Sequence, residues 1–325
     1  MRSFKKVLVT GAGGFIGSHL AEALLPITHV AAFVRYVSDG SVGFLENQRD
    51  RPNLTIHRGD LRDPDAFRKA LEGCDTLFHL AAHISIPYGK VHPRSVFENN
   101  VTMTLNALQA ATDVGVGRVV LVSTSEVYGT AQTVPITENH PLHPQSIYAA
   151  SKVACDQLGL AWSRQVGGPE VVILRPFNTY GPRQSLRAVI PTIIQQALAG
   201  PVVRLGNTET TRDFVYVEDT VVALIAAGKA EAVSGEVVHV GSGVERSVSE
   251  VVGYVGDLLG TRLEVEAEEP RKRAPTEEVE RLVADPSRAA ELLGWKARTG
   301  LREGLEKTCR YFRENQLRRR SSYHL

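Results

Sequence analysis

Short apolar runs closed by turn residues alternate with longer amphipathic stretches through the first half of the chain. Residues 6–10, 29–34, 55–59, 76–81 and 118–123 have the length of strands, whereas 16–25, 66–71 and 96–111 repeat apolar positions at helical spacing. The runs Val7-Leu8-Val9, Thr76-Leu77-Phe78 and Val119-Val120-Leu121-Val122 are continuous rather than alternating, as strands covered on both faces require. Residues 148–164 read as a further helix and 170–174 as the next strand. Strand–helix alternation of this kind predicts an α/β fold, a doubly wound parallel sheet with helices on both faces.

The texture changes after Pro176. Pro182, Pro191, Pro201, Gly206, Gly241 and Gly243 cut the chain into shorter elements. The expectation is a first domain over 1–176 and a smaller, mainly substrate-binding region over 177–325, with a strand near 236–241 returning to the first domain. Residues 264–273, acidic then basic and followed by Pro275, read as a surface loop.

Composition narrows the function classes. The 325 residues allow a large core, and a formal net charge of +1 gives no global electrostatic case for nucleic acid or a membrane surface. Cys74, Cys155 and Cys309 are scattered and odd in number, which argues against a disulfide framework or a zinc site, and the ten histidines show no ligand spacing, so no metal is expected. Gly11 to Gly17 interrupts the first apolar run, and no stretch approaches the ~20 apolar residues a span needs. A soluble, cytoplasmic protein is expected, with Arg318-Arg319-Arg320-Ser321-Ser322 as a solvated tail.

Candidate chemistry sits in two segments, Ser123-Thr124-Ser125-Glu126-Val127-Tyr128-Gly129 and Tyr148-Ala149-Ala150-Ser151-Lys152. Four residues apart, Tyr148 and Lys152 share a helical face, and a neighbouring ammonium favours the phenolate of a general base. Thr124 can offer a hydroxyl to the same substrate oxygen, and Glu126 adds a second base. A phenolate alone suits alcohol oxidation; a phenolate with a carboxylate suits oxidation followed by proton abstraction beside the new carbonyl.

A dinucleotide site is predicted from Thr10-Gly11-Ala12-Gly13-Gly14-Phe15-Ile16-Gly17, which follows a strand and opens a helix. Glycines 11, 14 and 17 give a tight turn, close approach to a pyrophosphate and close helix–strand packing. Asp60, with Leu61, ends the third strand, where it can accept from an adenine amino group or cap a helix. At the ribose end no carboxylate precedes Asp39, and Arg35 can instead meet a 2′-phosphate, which tips NAD or NADP toward NADP.

Together with His79-Leu80-Ala81-Ala82, the segment 175–183 (Arg175-Pro176-Phe177-Asn178 onward) and the segment 212–219 (Arg212-Asp213-Phe214-Val215 onward), these motifs resemble extended short-chain dehydrogenases/reductases of the NAD-dependent epimerase/dehydratase family. The resemblance runs from about residue 5 to 315 and implies a Rossmann-type domain and a nucleotide-sugar substrate. Thr124-Ser125-Glu126 is similar to GDP-mannose and UDP-N-acetylglucosamine 4,6-dehydratases. Residues 84–88 and 184–191 look most like the N-acetylglucosamine enzymes of legionaminic acid pathways.

Carried over, Tyr148, assisted by Lys152 and Thr124, takes the sugar 4-hydroxyl proton while C4 gives up hydride. Glu126 then removes the C5 proton, water leaves from C6, and hydride returns to C6. Glucose-type dehydratases carry Asp between Thr and Glu as the acid; Ser125 stands there instead, so Glu126 or a water must protonate the leaving oxygen. The resemblance places Leu80, Ala81 and Ala82 with the glycines and Phe15 and Ile16 at the cofactor, and Ser85, Tyr88, Asn178, Arg204, Arg212 and Arg273 at the substrate. In similar enzymes the helices over 96–111 and 148–164 pair across a two-fold axis, so a homodimer is expected.

His79 reads as packed against the cofactor turn, Trp162 and Trp295 as helix packing, and Glu268-Glu269 and Glu277-Glu278 as solvated loop charges. Three rivals remain at this level. A 4-epimerase needs no base at Glu126. A UDP-glucuronate decarboxylase shares Thr-Ser-Glu, but Asp213 is expected to sit awkwardly near a substrate carboxylate. A silent nucleotide-sugar sensor has no use for two bases.

Overall fold

The computed structural model describes residues 2–268 and 278–315. Its first part runs β1 (Lys6–Thr10), α1 (Phe15–Leu24), β2 (His29–Arg35), β3 (Leu54–Gly59), α2 (Pro64–Leu71), β4 (Thr76–His79), α3 (Ile86–Val91), α4 (Pro93–Asp113), β5 (Arg118–Val122), α5 (Ile147–Trp162) and β6 (Glu170–Pro176). The second part runs β7 (Asn178–Tyr180), α6 (Val189–Ala199), β8 (Val202–Leu205), β9 (Thr211–Tyr216), α7 (Val217–Lys229), β10 (Val237–Val240), β11 (Glu245–Ser247), α8 (Val248–Leu259), β12 (Glu264–Ala267), β13 (Arg281–Leu282), α9 (Ser287–Leu293) and α10 (Leu301–Glu314).

Seven parallel strands form the central sheet in the order β10-β6-β5-β4-β1-β2-β3. This is a Rossmann-type doubly wound sheet. Alternation along the strands feeds two cores: Val7, Val9, Val30 and Ala32 pack against α1 and α7 on one face, while Leu8, Ala31 and Leu77 pack with α2 and α4 on the other. Because β1 lies between β2 and β4, the chain reverses its winding there, and the crevice outside the carboxyl ends of β1 and β4 is where such sheets take ligands.

β10 pairs with β6 in register Val237↔Ile173 to Val240↔Pro176, so residues far along the chain edge the same sheet. A separate core joins Ile190, Ile193 and Ile194 of α6, Val251 and Val255 of α8, and Leu305 and Phe312 of α10 around Tyr180 and Tyr216. Residues 264–267, expected as loop, form β12 and pair in parallel with β8. Every β12 residue is exposed, so no buried face marked this strand in the sequence; Arg204 and Glu266 form an ion pair between the two strands at 3.0 Å. Among the described residues no helix is long and apolar enough to cross a membrane.

Candidate active site

The glycine turn follows β1 directly. Gly11 takes φ +66°, a left-handed conformation, and a Cβ on Gly17 would lie 2.2 Å from the Gly11 carbonyl oxygen, so helix and turn meet at a distance only glycine allows. Helix α1 starts at Gly14 with no side-chain cap and no acidic residue in its first turn. Its N–H groups and the positive end of its dipole therefore face the crevice uncompensated, which fits an anionic pyrophosphate. Half-buried Phe15 and Ile16 continue from it.

Thr10, at the end of β1, ties this turn to the exit of β4. Its hydroxyl oxygen accepts from the Leu80 and Ala81 N–H groups at 3.0 and 3.1 Å and lies 3.0 Å from His79 Nδ1. With two donors already on that oxygen, its own proton points to Nδ1, which fixes His79 as the neutral tautomer. Ala82 follows, and His83 is gripped by Asn100, which accepts from the His83 N–H at 2.7 Å and donates to its carbonyl at 3.1 Å. Sequence reasoning gave Thr10 no part; its place at the strand end, just before the first glycine, was the available signal.

Thr124 caps the 3-10 turn Ser125–Tyr128 at the end of β5, accepting from the Glu126 N–H at 3.2 Å. Opposite, α5 brings Tyr148 and Lys152 to the same crevice. Tyr148 is buried, and burial pushes its phenol well above the ordinary tyrosine range; the Thr124 hydroxyl offsets part of that rise and the Glu126 charge adds to it. Thr124, Glu126 and Tyr148 thus come together. Ser125 is buried.

Lys152 corrects an expectation. Its ammonium donates to the Val122 carbonyl at 2.7 Å, and the phenol is raised rather than lowered. Burial outweighs the neighbouring cation while the crevice holds protein alone. One turn further along α5, Asp156 pairs with Arg175 at 2.9 Å in full burial. Arg175 also donates to the Tyr128 hydroxyl at 2.6 Å, which lies 2.6 Å from His239 Nε2. These buried groups brace the catalytic segment from behind, and the sequence signal for Asp156 was its spacing of four from Lys152.

At the adenosine end, Arg35 is exposed at the tip of β2 beside Gly59. Asp60 follows β3, with Leu61 buried behind it; Arg62 binds the Asp60 carboxylate through Nε and Nη2 and holds its pKa down to about 2. That carboxylate is engaged by a neighbour rather than capping a helix.

On the substrate side, the Ser85 oxygen caps α3 by accepting from the Tyr88 N–H at 3.3 Å, and the Tyr88 ring packs against His92 with centroids 4.7 Å apart. Asn178 Oδ1 is buried with no partner among the described residues, the condition of an acceptor kept for a ligand. Arg212 is buried, donates to the carbonyls of Thr211 and Glu280, and lies 3.8 Å from the Glu278 carboxylate, so Glu278 is not a free loop charge. Arg204 is exposed and engaged by Glu266. Arg273, Glu269, Glu277 and the tail over 318–322 lie outside the described residues.

Asp213 overturns its expected position. Fully buried, its carboxylate accepts from the N–H groups of Ser242, Gly243 and Ala284 at 2.8, 2.9 and 3.2 Å and from the Ser242 hydroxyl at 2.6 Å. It ties β9 to the exit of β10 and to residue 284 and presents no free charge to a substrate.

A family model described as GDP-mannose 4,6 dehydratase matches residues 8–308. The chain belongs to the extended short-chain dehydrogenase/reductase family of NAD-dependent epimerases and dehydratases. It is 34% identical over 314 residues to a UDP-glucose 4-epimerase of Mycolicibacterium smegmatis, covering 95% of this chain and 98% of that protein. It is 32% identical to UDP-glucuronic acid decarboxylase 1 of Xenopus tropicalis, over 95% of this chain and 72% of that protein. Among solved structures, the dTDP-glucose 4,6-dehydratase DesIV of Streptomyces venezuelae, a double mutant with NAD and DAU bound, superposes with a TM-score of 0.86 at 32% identity, covering 96–98% of the two chains. An enzyme of nucleotide-sugar chemistry is what family and relatives have in common.

Proposed function

We propose that this family member is a nucleotide-sugar 4,6-dehydratase, with UDP-N-acetylglucosamine as its substrate. The observation that carries the reading is the convergence of two bases, Tyr148 from α5 and Glu126 from the turn after β5, with the Thr124 hydroxyl between them. An epimerase has no step that needs the carboxylate. The choice of sugar rests on the resemblance of residues 84–88 and 184–191.

When bound, an oxidised nicotinamide accepts hydride from C4 and places positive charge beside the phenol. Within that field Tyr148 takes the 4-hydroxyl proton, and Thr124 orients the same oxygen. Glu126 takes the C5 proton, acidified by the 4-ketone. Because Ser125 cannot act as an acid near neutrality, Glu126 passes that proton to the departing C6 oxygen directly or through water. Asn178 and Arg212 hold the diphosphate, Arg212 through the guanidinium edge not used by its carbonyl partners. Gly11, Gly14 and Gly17 cradle the dinucleotide pyrophosphate, the reading supported by the NAD in the DesIV structure.

One rival gains from a specific observation: the burial of Asp213 removes the objection to a UDP-glucuronate decarboxylase. Proton NMR of UDP-N-acetylglucosamine with the protein in deuterated water separates the readings. A new C6 methyl signal with deuterium at C5 is the expected result. A C4-inverted sugar without methyl or deuterium overturns it in favour of an epimerase. No change there, with carbon dioxide released from UDP-glucuronate, overturns it in favour of the decarboxylase.

A further inference from the structure

We propose that the adenosine end of the dinucleotide groove is built for a 2′-phosphate, so that this chain binds NADP(H) in preference to NAD(H). The inference rests on the dinucleotide reading above and adds which dinucleotide the groove selects.

An NAD-selective groove offers a carboxylate to the ribose 2′-hydroxyl at the end of the second strand, about 20 residues beyond the glycines. Here β2 ends in Arg35, and residues 36–38 supply no acid. The acids nearby are turned to other partners. The Asp39 carboxylate accepts from the Ser41 N–H at 2.9 Å, Glu46 accepts from the Val42 N–H at 2.8 Å and pairs with Arg49 at 2.9 Å, and Asp60 is clasped by Arg62. A 2′-hydroxyl therefore meets no uncommitted carboxylate in this corner.

The cations are disposed the other way. Arg35 has no hydrogen-bond or ion-pair partner among the described residues, and it is exposed. Its field bears on both Asp60 and His83, which places it between the exits of β3 and β4. Arg49 and Arg58 both donate to the Gly40 carbonyl and pin the loop that closes the corner. That loop is locked to the glycine turn: the Phe44 N–H donates to the Gly13 carbonyl at 3.0 Å, and a Cβ on Gly43 would stand 2.3 Å from the Gly13 oxygen. The corner is thus preformed against the pyrophosphate cradle, with four guanidinium groups around three carboxylates. A phosphate dianion there gains a fork of charge-assisted bonds from a guanidinium that forfeits no existing contact.

Denaturing the purified holoenzyme and identifying the released nucleotide by mass spectrometry tests this without any sugar turnover. NADP(H) is the expected species. Calorimetric titration of nucleotide-stripped protein with NADP+ and NAD+ should then show that R35A weakens NADP+ by about ten- to a hundredfold while leaving NAD+ within a few-fold. R35D should invert the preference. Release of NAD(H) from the wild-type protein, or an unchanged NADP+/NAD+ ratio in R35A, overturns the proposal. Failure of the dehydratase reading would leave both nucleotide measurements standing, so the two can fail separately.

Discussion

Tyr148 and Glu126 act on different bonds, so replacing each should stop the reaction at a different point. Glu126→Gln keeps size and hydrogen bonding but removes the base. C4 oxidation should persist, visible as reduced-nicotinamide absorbance after mixing with substrate, while C5 deuterium incorporation vanishes. Tyr148→Phe should lose both signals, with turnover down by about 10²–10⁴-fold, the usual worth of a positioned general base. Near-wild-type deuterium exchange in the Gln variant would remove Glu126 from the mechanism. The pairing of Tyr148 with Lys152 was legible from a spacing of four, because helical geometry alone puts them on one face. The state of that pair was not. The phenol responds to its burial, and the ammonium to a carbonyl of β5 contributed by a residue 30 positions away. Asp213 teaches the same: its motif was readable, but its four donors come from segments that only the fold brings together.

Those four donors make Asp213 a joint between elements. It fastens β9 to the residues leaving β10 and to Ala284 just past β13. Replacing it by Ala strands three buried N–H groups, each costing about 1–3 kcal/mol, so a loss of roughly 3–5 kcal/mol is expected after relaxation. Urea unfolding of Asp213→Ala measures it, and a change below about 1 kcal/mol would mean that water replaces the carboxylate. Glycine 17 is the corresponding joint at the cofactor. Gly17→Ala puts a methyl against the Gly11 carbonyl, so the turn must open; the variant should be purified with little or no bound dinucleotide, read from its absorbance spectrum, and wild-type occupancy would contradict the close approach. The central strands were legible because burial on both faces forces continuous apolar runs. β12 was not, since a strand exposed along its length carries no such run and its charges look like those of a loop. Helix α3 was equally hidden: its six residues, with Pro87 in the first turn and Gly89 within, contain less than two turns of pattern.

For the whole molecule, the sheet carries a pH liability that no single element shows. His79 on β4 is fully enclosed, and burial, with Lys152 adding to it, depresses its pKa from the ordinary 6.5 to about 3. The Thr10 hydroxyl explains why it stays neutral, since its one free proton is spent on Nδ1, and an imidazolium would turn donor against donor. His239 on β10 is likewise depressed to about 3, chiefly by burial and then by Arg175. With folded pKa values below unfolded ones, the unfolded chain binds more protons between pH 6.5 and about 3, so stability falls as pH drops through that window. Each histidine contributes at most ~1.4 kcal/mol per pH unit there. Glu138, Asp156 and Asp213 have raised values and run the opposite way, so the wild-type slope alone does not isolate the imidazoles. Comparison with His79→Asn does, because those carboxylates are common to both proteins. Asn can keep the acceptor for Thr10 yet takes up no proton. Its melting temperature should lie below wild type near pH 8, where the better fit of imidazole tells, and the gap should close as the pH approaches 4. A constant gap across that range would mean that His79 is protonated in the folded sheet, and that the neutral tautomer fixed by Thr10 is wrong.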